Sequence, residues 1–213
     1  MARSIIIFFI CLFFLLMWPK NSPTIPVFLI NSEPTAITKG QSGNAIIVAV
    51  SFEHDELQSF IQQQSELPIT YLISTDLLDR SPALVQTLKK HQPIVGLLGS
   101  TADQYEETPD LLEKQLGRFQ SHFNEAPMYF MTEDKYYTQQ LLNTLSKKQI
   151  NAIAPSLLSS YSNKPRKGQL LYVHFDESTE PNFKKLQAFL KKHKFTTIEE
   201  TIFDASISTS TAP

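Results

Sequence analysis

Residues 45–55, AIIVAVSFEHD, pass from six consecutive small or aliphatic residues to Ser51 and Phe52 and then to the polar triplet Glu53, His54 and Asp55. The run is too short for an ordinary helix and does not alternate polar with apolar. A strand covered on both faces, as in a parallel sheet, has that composition. In parallel α/β sheets ligands bind at the carboxyl ends of the strands, so the triplet lies where a site is expected.

The same form recurs along the chain, at residues 68–73 (PITYLI), 93–98 (PIVGLL), 127–131 (PMYFM), 151–154 (NAIA), 169–173 (QLLYV) and 195–198 (FTTI). Helical patterns separate these runs. Ser81-Pro82 predicts a helix start with serine at the N-cap and proline at N1, and Leu84, Val85 and Leu88 share its apolar face. Thr108-Pro109 predicts a second start of the same kind, followed by Leu112, Leu116, Phe119 and Phe123. Leu141, Leu142 and Leu145 mark a third helix, and Phe183, Leu186 and Leu190 a fourth. Strand and helix alternating at this pitch imply right-handed βαβ units. They predict one α/β domain of about seven strands over residues 39–203, closed as a barrel or open as a doubly wound sheet.

Composition narrows the function classes. The 213 residues carry 19 Lys+Arg against 21 Asp+Glu, a net charge of −2, so no basic excess is available for nucleic acid. The single cysteine, Cys11, excludes an intramolecular disulfide and a thiolate zinc site. Cys11 belongs to an apolar run over residues 5–18 (IIIFFICLFFLLMW) that follows Arg3. As a helix this run would span about 21 Å, short of a hydrocarbon core of roughly 30 Å. Residues 1–20 are therefore expected to be an export signal or a short membrane anchor that carries the body out of the cytoplasm, to the cell membrane or beyond. Residues 21–38 form a Pro-rich stalk and residues 204–213 (DASISTSTAP) a Ser/Thr-rich tail expected to be disordered.

Position sorts the five histidines. His91, His122 and His193 stand at predicted helix ends, where they read as solvated caps. His54 and His174 each follow a predicted strand, with Glu53, Asp55, Asp76, Asp134 and Asp176 in equivalent places. These could face one pocket.

From residue 36 to residue 202 the order of elements resembles the polysaccharide deacetylase family, the NodB-homology domains that remove acetyl groups from glycans. Residues 50–55 (VSFEHD) fall where that family carries T-F-D-D-G, and residues 68–72 (PITYL) where it carries P-A-T-F-F. Residues 127–131 (PMYFM) fall at its F-R-P-P strand, and residues 168–174 (GQLLYVH) at its late I-x-L-L-H-D strand. The resemblance implies a distorted (β/α) barrel and a divalent metal such as zinc. It places Glu53 at the base position, His54 at a metal-ligand position and His174 at the general-acid position. The two metal histidines of H-T-x-x-H fall on Leu98 and Ala102, which cannot coordinate. The arginine that orients the base falls on Met131.

A catalytic metal normally needs about three protein ligands, and His54 is the one family position still occupied by a ligating type. The expected function is therefore an exported, deacetylase-like binding module without the family's hydrolysis and without a bound cofactor. Its expected partner is cell-wall glycan or an envelope protein. Its acidic strand ends, Glu53, Asp55, Glu133, Asp134 and Asp176, suit a cationic amino sugar. The alternative is a divergent metal-dependent glycan deacetylase with an altered site. Serine hydrolysis finds no elbow motif, because residues 96–100 (GLLGS) are not G-x-S-x-G.

Overall fold

The computed structural model describes residues 33–178 and 182–204. The export segment, residues 21–32 of the stalk and the tail beyond Asp204 lie outside the described residues, and with them every expectation about the membrane. Among the described residues no helix is long and apolar enough to cross a bilayer.

Seven strands form one parallel sheet: β1 (Asn44–Val50), β2 (Ile69–Ser74), β3 (Ile94–Gly99), β4 (Tyr129–Thr132), β5 (Asn151–Ala152), β6 (Ser156–Leu157) and β7 (Gln169–Phe175). Their order is β5-β4-β3-β2-β1-β7-β6, and every neighbouring pair is parallel. The sheet curls into a distorted (β/α) half-barrel with β5 and β6 at its two edges.

Eight helices are described: α1 (Leu57–Gln63), α2 (Thr75–Arg80), α3 (Pro82–His91), α4 (Ala102–Glu107), α5 (Leu111–Phe123), α6 (Gln139–Lys147), α7 (Phe183–Lys192) and α8 (Ile198–Phe203). Strand alternation divides the core in two. Ile46, Val48, Val50, Tyr71, Ile73, Leu97, Phe130, Val173 and Phe175 pack outward beneath the helices, where Leu84, Leu116, Phe119, Leu145, Leu186 and Phe189 meet them. Ala45, Ile47, Ala49, Leu72, Leu98, Tyr129, Met131, Leu170 and Tyr172 fill the inside of the curl, closed by Ile198 and Ile202 of α8. At the amino ends of β1 and β7, Gly168 at φ 75° brings its carbonyl to the Gly40 amide at 2.7 Å, an approach that a side chain would obstruct.

Several boundaries differ from the sequence reading. The FTTI run at residues 195–198 is not a strand. Thr197 caps α8 in a reciprocal box with Glu200, and that local hydrogen bonding outweighs the β-propensity of the run. The seventh strand is instead β6, two exposed residues recruited by pairing with β7. Thr108 ends α4 rather than starting α5, whose N-cap is Asp110. Ser81-Pro82 does open α3, but the serine hydroxyl makes no capping bond. Nor are the three helix-end histidines simply solvated. His91 and His193 bury Nε2 without a hydrogen-bond partner, His193 packs its ring 4.8 Å from that of Phe189, and His122 pairs with Asp79 at 2.6 Å.

Candidate functional site

The carboxyl ends of the parallel strands frame the mouth of the half-barrel. Because Ala45, Ile47 and Ala49 face inward on β1, the next residue of that parity is Ser51. Because Leu170 and Tyr172 face inward on β7, the next is His174. The two strands are neighbours, in a register that sets Ala49 beside His174, and the Ser51 amide donates to the Phe175 carbonyl at 3.1 Å. Ser51 Oγ consequently lies 3.2 Å from His174 Nε2. On the other side of the ring, Nδ1 is 3.8 Å from Asp176 Oδ2. Asp176 is held by its own turn, since its Oδ1 accepts from the Ser178 amide at 2.9 Å and the Ser178 hydroxyl at 2.7 Å.

Lys135 reaches the same mouth from the loop after β4. Its backbone is left-handed at φ 59°, and Nζ stands 4.7 Å from the centre of the Tyr172 ring. The His174 imidazole binds a proton less readily than usual. Burial is the largest cause; the Asp176 carboxylate opposes it and the Lys135 charge adds to it. Glu133 is exposed, yet desolvation and then the nearby charges of Asp134, Asp176 and Asp76 push its carboxyl above the usual range.

The remaining sequence-derived residues go elsewhere. Glu53 turns toward the helices, where its carboxylate accepts from the Ser81 hydroxyl at 2.6 Å and from Gln58 at 3.3 Å. That contact explains why Ser81 does not cap its helix. His54 stands edge-on to Phe52 and Phe175, at 5.7 and 6.1 Å between ring centres, with Nε2 buried and without a hydrogen-bond partner. Asp55 is exposed in the turn before α1. Asp134 accepts from the Ala102 amide at 3.2 Å and from the Tyr136 amide at 3.1 Å, which ties the β4 loop to the first turn of α4. Among the described residues no hydrogen bond joins any two of Glu53, His54, Asp134 and His174, so these four do not assemble as one hydrogen-bonded cluster.

The donor set does not fit the metal that the resemblance implies. Leu98 is 1% exposed and Ala102 is fully buried, both packed rather than facing a vacant coordination site. Among the described residues no group of three or more His, Cys, Asp or Glu side chains could hold a metal ion. Two surface grooves, of about 310 and 320 Å³, lie away from the mouth, one against α1 and α7 and the other among α4, α5 and α6.

Sequence reading missed Ser51 and Lys135. Inward parity with Ala49 was a signal for the first. No local signal exists for the second, whose place depends on the loop after β4 folding back over β7.

No family model matches the sequence, and no curated protein matches it. Solved structures do resemble it. A mutant of a family 4 carbohydrate esterase pseudoenzyme, with restored enzymatic activity, superposes with a TM-score of 0.65 at 11% identity, over 80% of this chain and 72% of that one. The wild-type pseudoenzyme, from Bacillus anthracis, gives 0.62 at 11% identity, over 80% and 69%. The chitin deacetylase of the fungal pathogen Colletotrichum lindemuthianum gives 0.63 at 13% identity, over 82% and 94%. At such identities the likeness is one of backbone. It shows that this chain has the fold of the family 4 carbohydrate esterases, the polysaccharide deacetylase fold, in a divergent sequence.

Proposed function

We propose that this chain is an exported, membrane-tethered binding module that uses a deacetylase fold to hold cell-wall glycan and no longer performs metal-dependent deacetylation. The observation that carries the reading is the packing of Leu98 and Ala102. Where the resemblance puts two metal histidines, one side chain completes the apolar layer inside the curl and the other begins α4 under the Asp134 carboxylate. Restoring a metal there would require rebuilding the core. The fold's likeness to pseudoenzyme structures as well as to a chitin deacetylase supports the same view.

The ligand we favour is a glycan bearing free amino groups. Glu133, Asp134 and Asp176 give the mouth a local excess of negative charge, which adds to desolvation, the larger cause, in raising the proton affinity of Glu133. Full-length protein in detergent should be retained on peptidoglycan or chitosan beads and released as salt is raised, because exposed charge pairs are screened over about 10 Å at 0.1 M. Absence of retention, together with no saturation-transfer signal from glucosamine oligomers, refutes glycan binding and leaves an envelope protein as the partner. Retention that is indifferent to salt refutes the amino-sugar preference. Stoichiometric zinc accompanied by acetate release would instead establish the metal-dependent enzyme.

A further inference from the structure

We infer that Ser51, His174 and Asp176 form a nucleophilic acyl-transfer site, with Ser51 as the nucleophile, His174 as its base and Asp176 as the positioning carboxylate, acting on a small acyl ester such as an O-acetyl sugar. This goes beyond glycan binding and is independent of any metal.

The geometry is that of a nucleophile in hydrogen-bond reach of a base, with a third group behind the base. Ser51 Oγ is 3.2 Å from His174 Nε2. The Asp176 carboxylate faces the opposite nitrogen, Nδ1, at 3.8 Å. That spacing is too long for a hydrogen bond, a looseness common in ligand-free sites that tighten around substrate. The carboxylate favours the tautomer with its proton on Nδ1, in which Nε2 accepts from the Ser51 hydroxyl. Burial lowers the proton affinity of the imidazole and so favours the neutral form that a base requires. The absence of an elbow around Ser100 does not count against this site, since the serine concerned ends β1 and is matched to its base by the β1–β7 pairing.

The reaction balances with water as the second reactant. Ser51 Oγ bonds to the acyl carbonyl carbon while its proton passes to His174 Nε2. The tetrahedral adduct then expels the alcohol oxygen, which takes that proton. Water, deprotonated by His174 Nε2, next attacks the acyl-serine; as the Oγ–C bond breaks His174 returns that proton to Oγ, which restores the Ser51 hydroxyl and releases the carboxylic acid, whose own proton passes to solvent. Lys135, whose charge already reaches His174, is the cation we assign to the developing oxyanion. An ester suits the site better than an amide because an alkoxide leaves more readily than an amine anion.

The test uses full-length protein in detergent, a fluorophosphonate probe and p-nitrophenyl acetate. The expected result is a covalent adduct mapped to Ser51, absent in Ser51→Ala, retained in Ser59→Ala, and formed at least about a hundredfold more slowly in His174→Ala, the scale of general-base assistance. The pH profile of labelling separates Asp176 and Lys135 from purely structural roles. The groups facing His174 are Ser51, Asp176 and Lys135, and Asp176 in turn faces Glu133. Asp176→Asn should move the inflection to lower pH, and Lys135→Met should move it to higher pH. No adduct on wild-type Ser51 under conditions that fully label a control serine esterase overturns the proposal. So does a labelling rate unchanged by loss of His174, or an inflection that neither substitution moves. Wild-type labelling needs no variant to fold, and its failure would leave bead retention, the test of glycan binding, untouched.

Discussion

Leu98→His returns to β3 the side chain that the deacetylase resemblance associates with a metal. Leu98 is 1% exposed and belongs to the inner apolar layer with Ala49, Leu72, Met131 and Tyr172. Removing the leucine forfeits about 2–3 kcal/mol of burial, and a ring nitrogen left without a partner in that layer costs about 1–3 kcal/mol more. The expected destabilisation is therefore about 3–6 kcal/mol, a large part of the roughly 5–15 kcal/mol that ordinarily separates native from unfolded chains. For a chain of this length each kcal/mol lowers Tm by about 2–4 °C, so the melt should fall by roughly 6–24 °C. Leu98→Met, which keeps volume and polarity, should cost less than about 1.5 kcal/mol. Circular-dichroism melts of the full-length protein, with and without excess zinc, read both. If Leu98→His melts with the parent and zinc raises its Tm, position 98 faces a preserved ligand cleft. The packed-layer argument, and with it the case for lost metal chemistry, would then be wrong.

Gly96→Ala places a Cβ 2.6 Å from both Leu72 Cδ2 and the Tyr129 carbonyl. A backbone oxygen in mid-sheet cannot withdraw, so a loss of about 1–3 kcal/mol is expected in urea unfolding, and an unchanged midpoint would show the sheet to be more compliant. Arg118→Ala breaks ion pairs with Asp76 and Asp79 whose side chains are 39–74% exposed. Its cost should stay below about 1 kcal/mol, and a Tm drop beyond roughly 5 °C would refute that. Burial, foremost, raises the Glu199 carboxyl above its unfolded value, so ionisation opposes folding as pH rises through the folded value. Glu199→Gln should therefore melt higher than the parent at pH 8 and with it at pH 4; a gain confined to pH 4 would reverse the sign.

Much of the scaffold was legible because it is local. Unbroken apolar runs marked the positions of the longer strands, and the Leu/Phe spacing marked residues that lie within α3, α6 and α7. Where reading failed, a contact between distant parts or a stronger local bond prevailed. The FTTI run yields to the Thr197–Glu200 box, and β6 exists only through its pairing with β7. The resemblance directed attention to Glu53, His54 and Asp134, yet Ser81, the rings of Phe52 and Phe175, and the Ala102 amide hold them elsewhere.

By itself the sequence determined that an α/β body with inward and outward strand faces must form, and it put Leu98 and Ala102, which cannot coordinate, where the deacetylase resemblance implies two metal histidines. Periodicity and side-chain chemistry are properties of neighbours along the chain, so a string of residues contains them. Only the tertiary structure decided that Ser51 meets His174 across 123 residues, with Asp176 behind the ring and Lys135 above Tyr172. That meeting depends on β7 inserting beside β1 in one register. A slip of one residue would turn His174 into the helix layer and leave Ser51 facing the mouth alone.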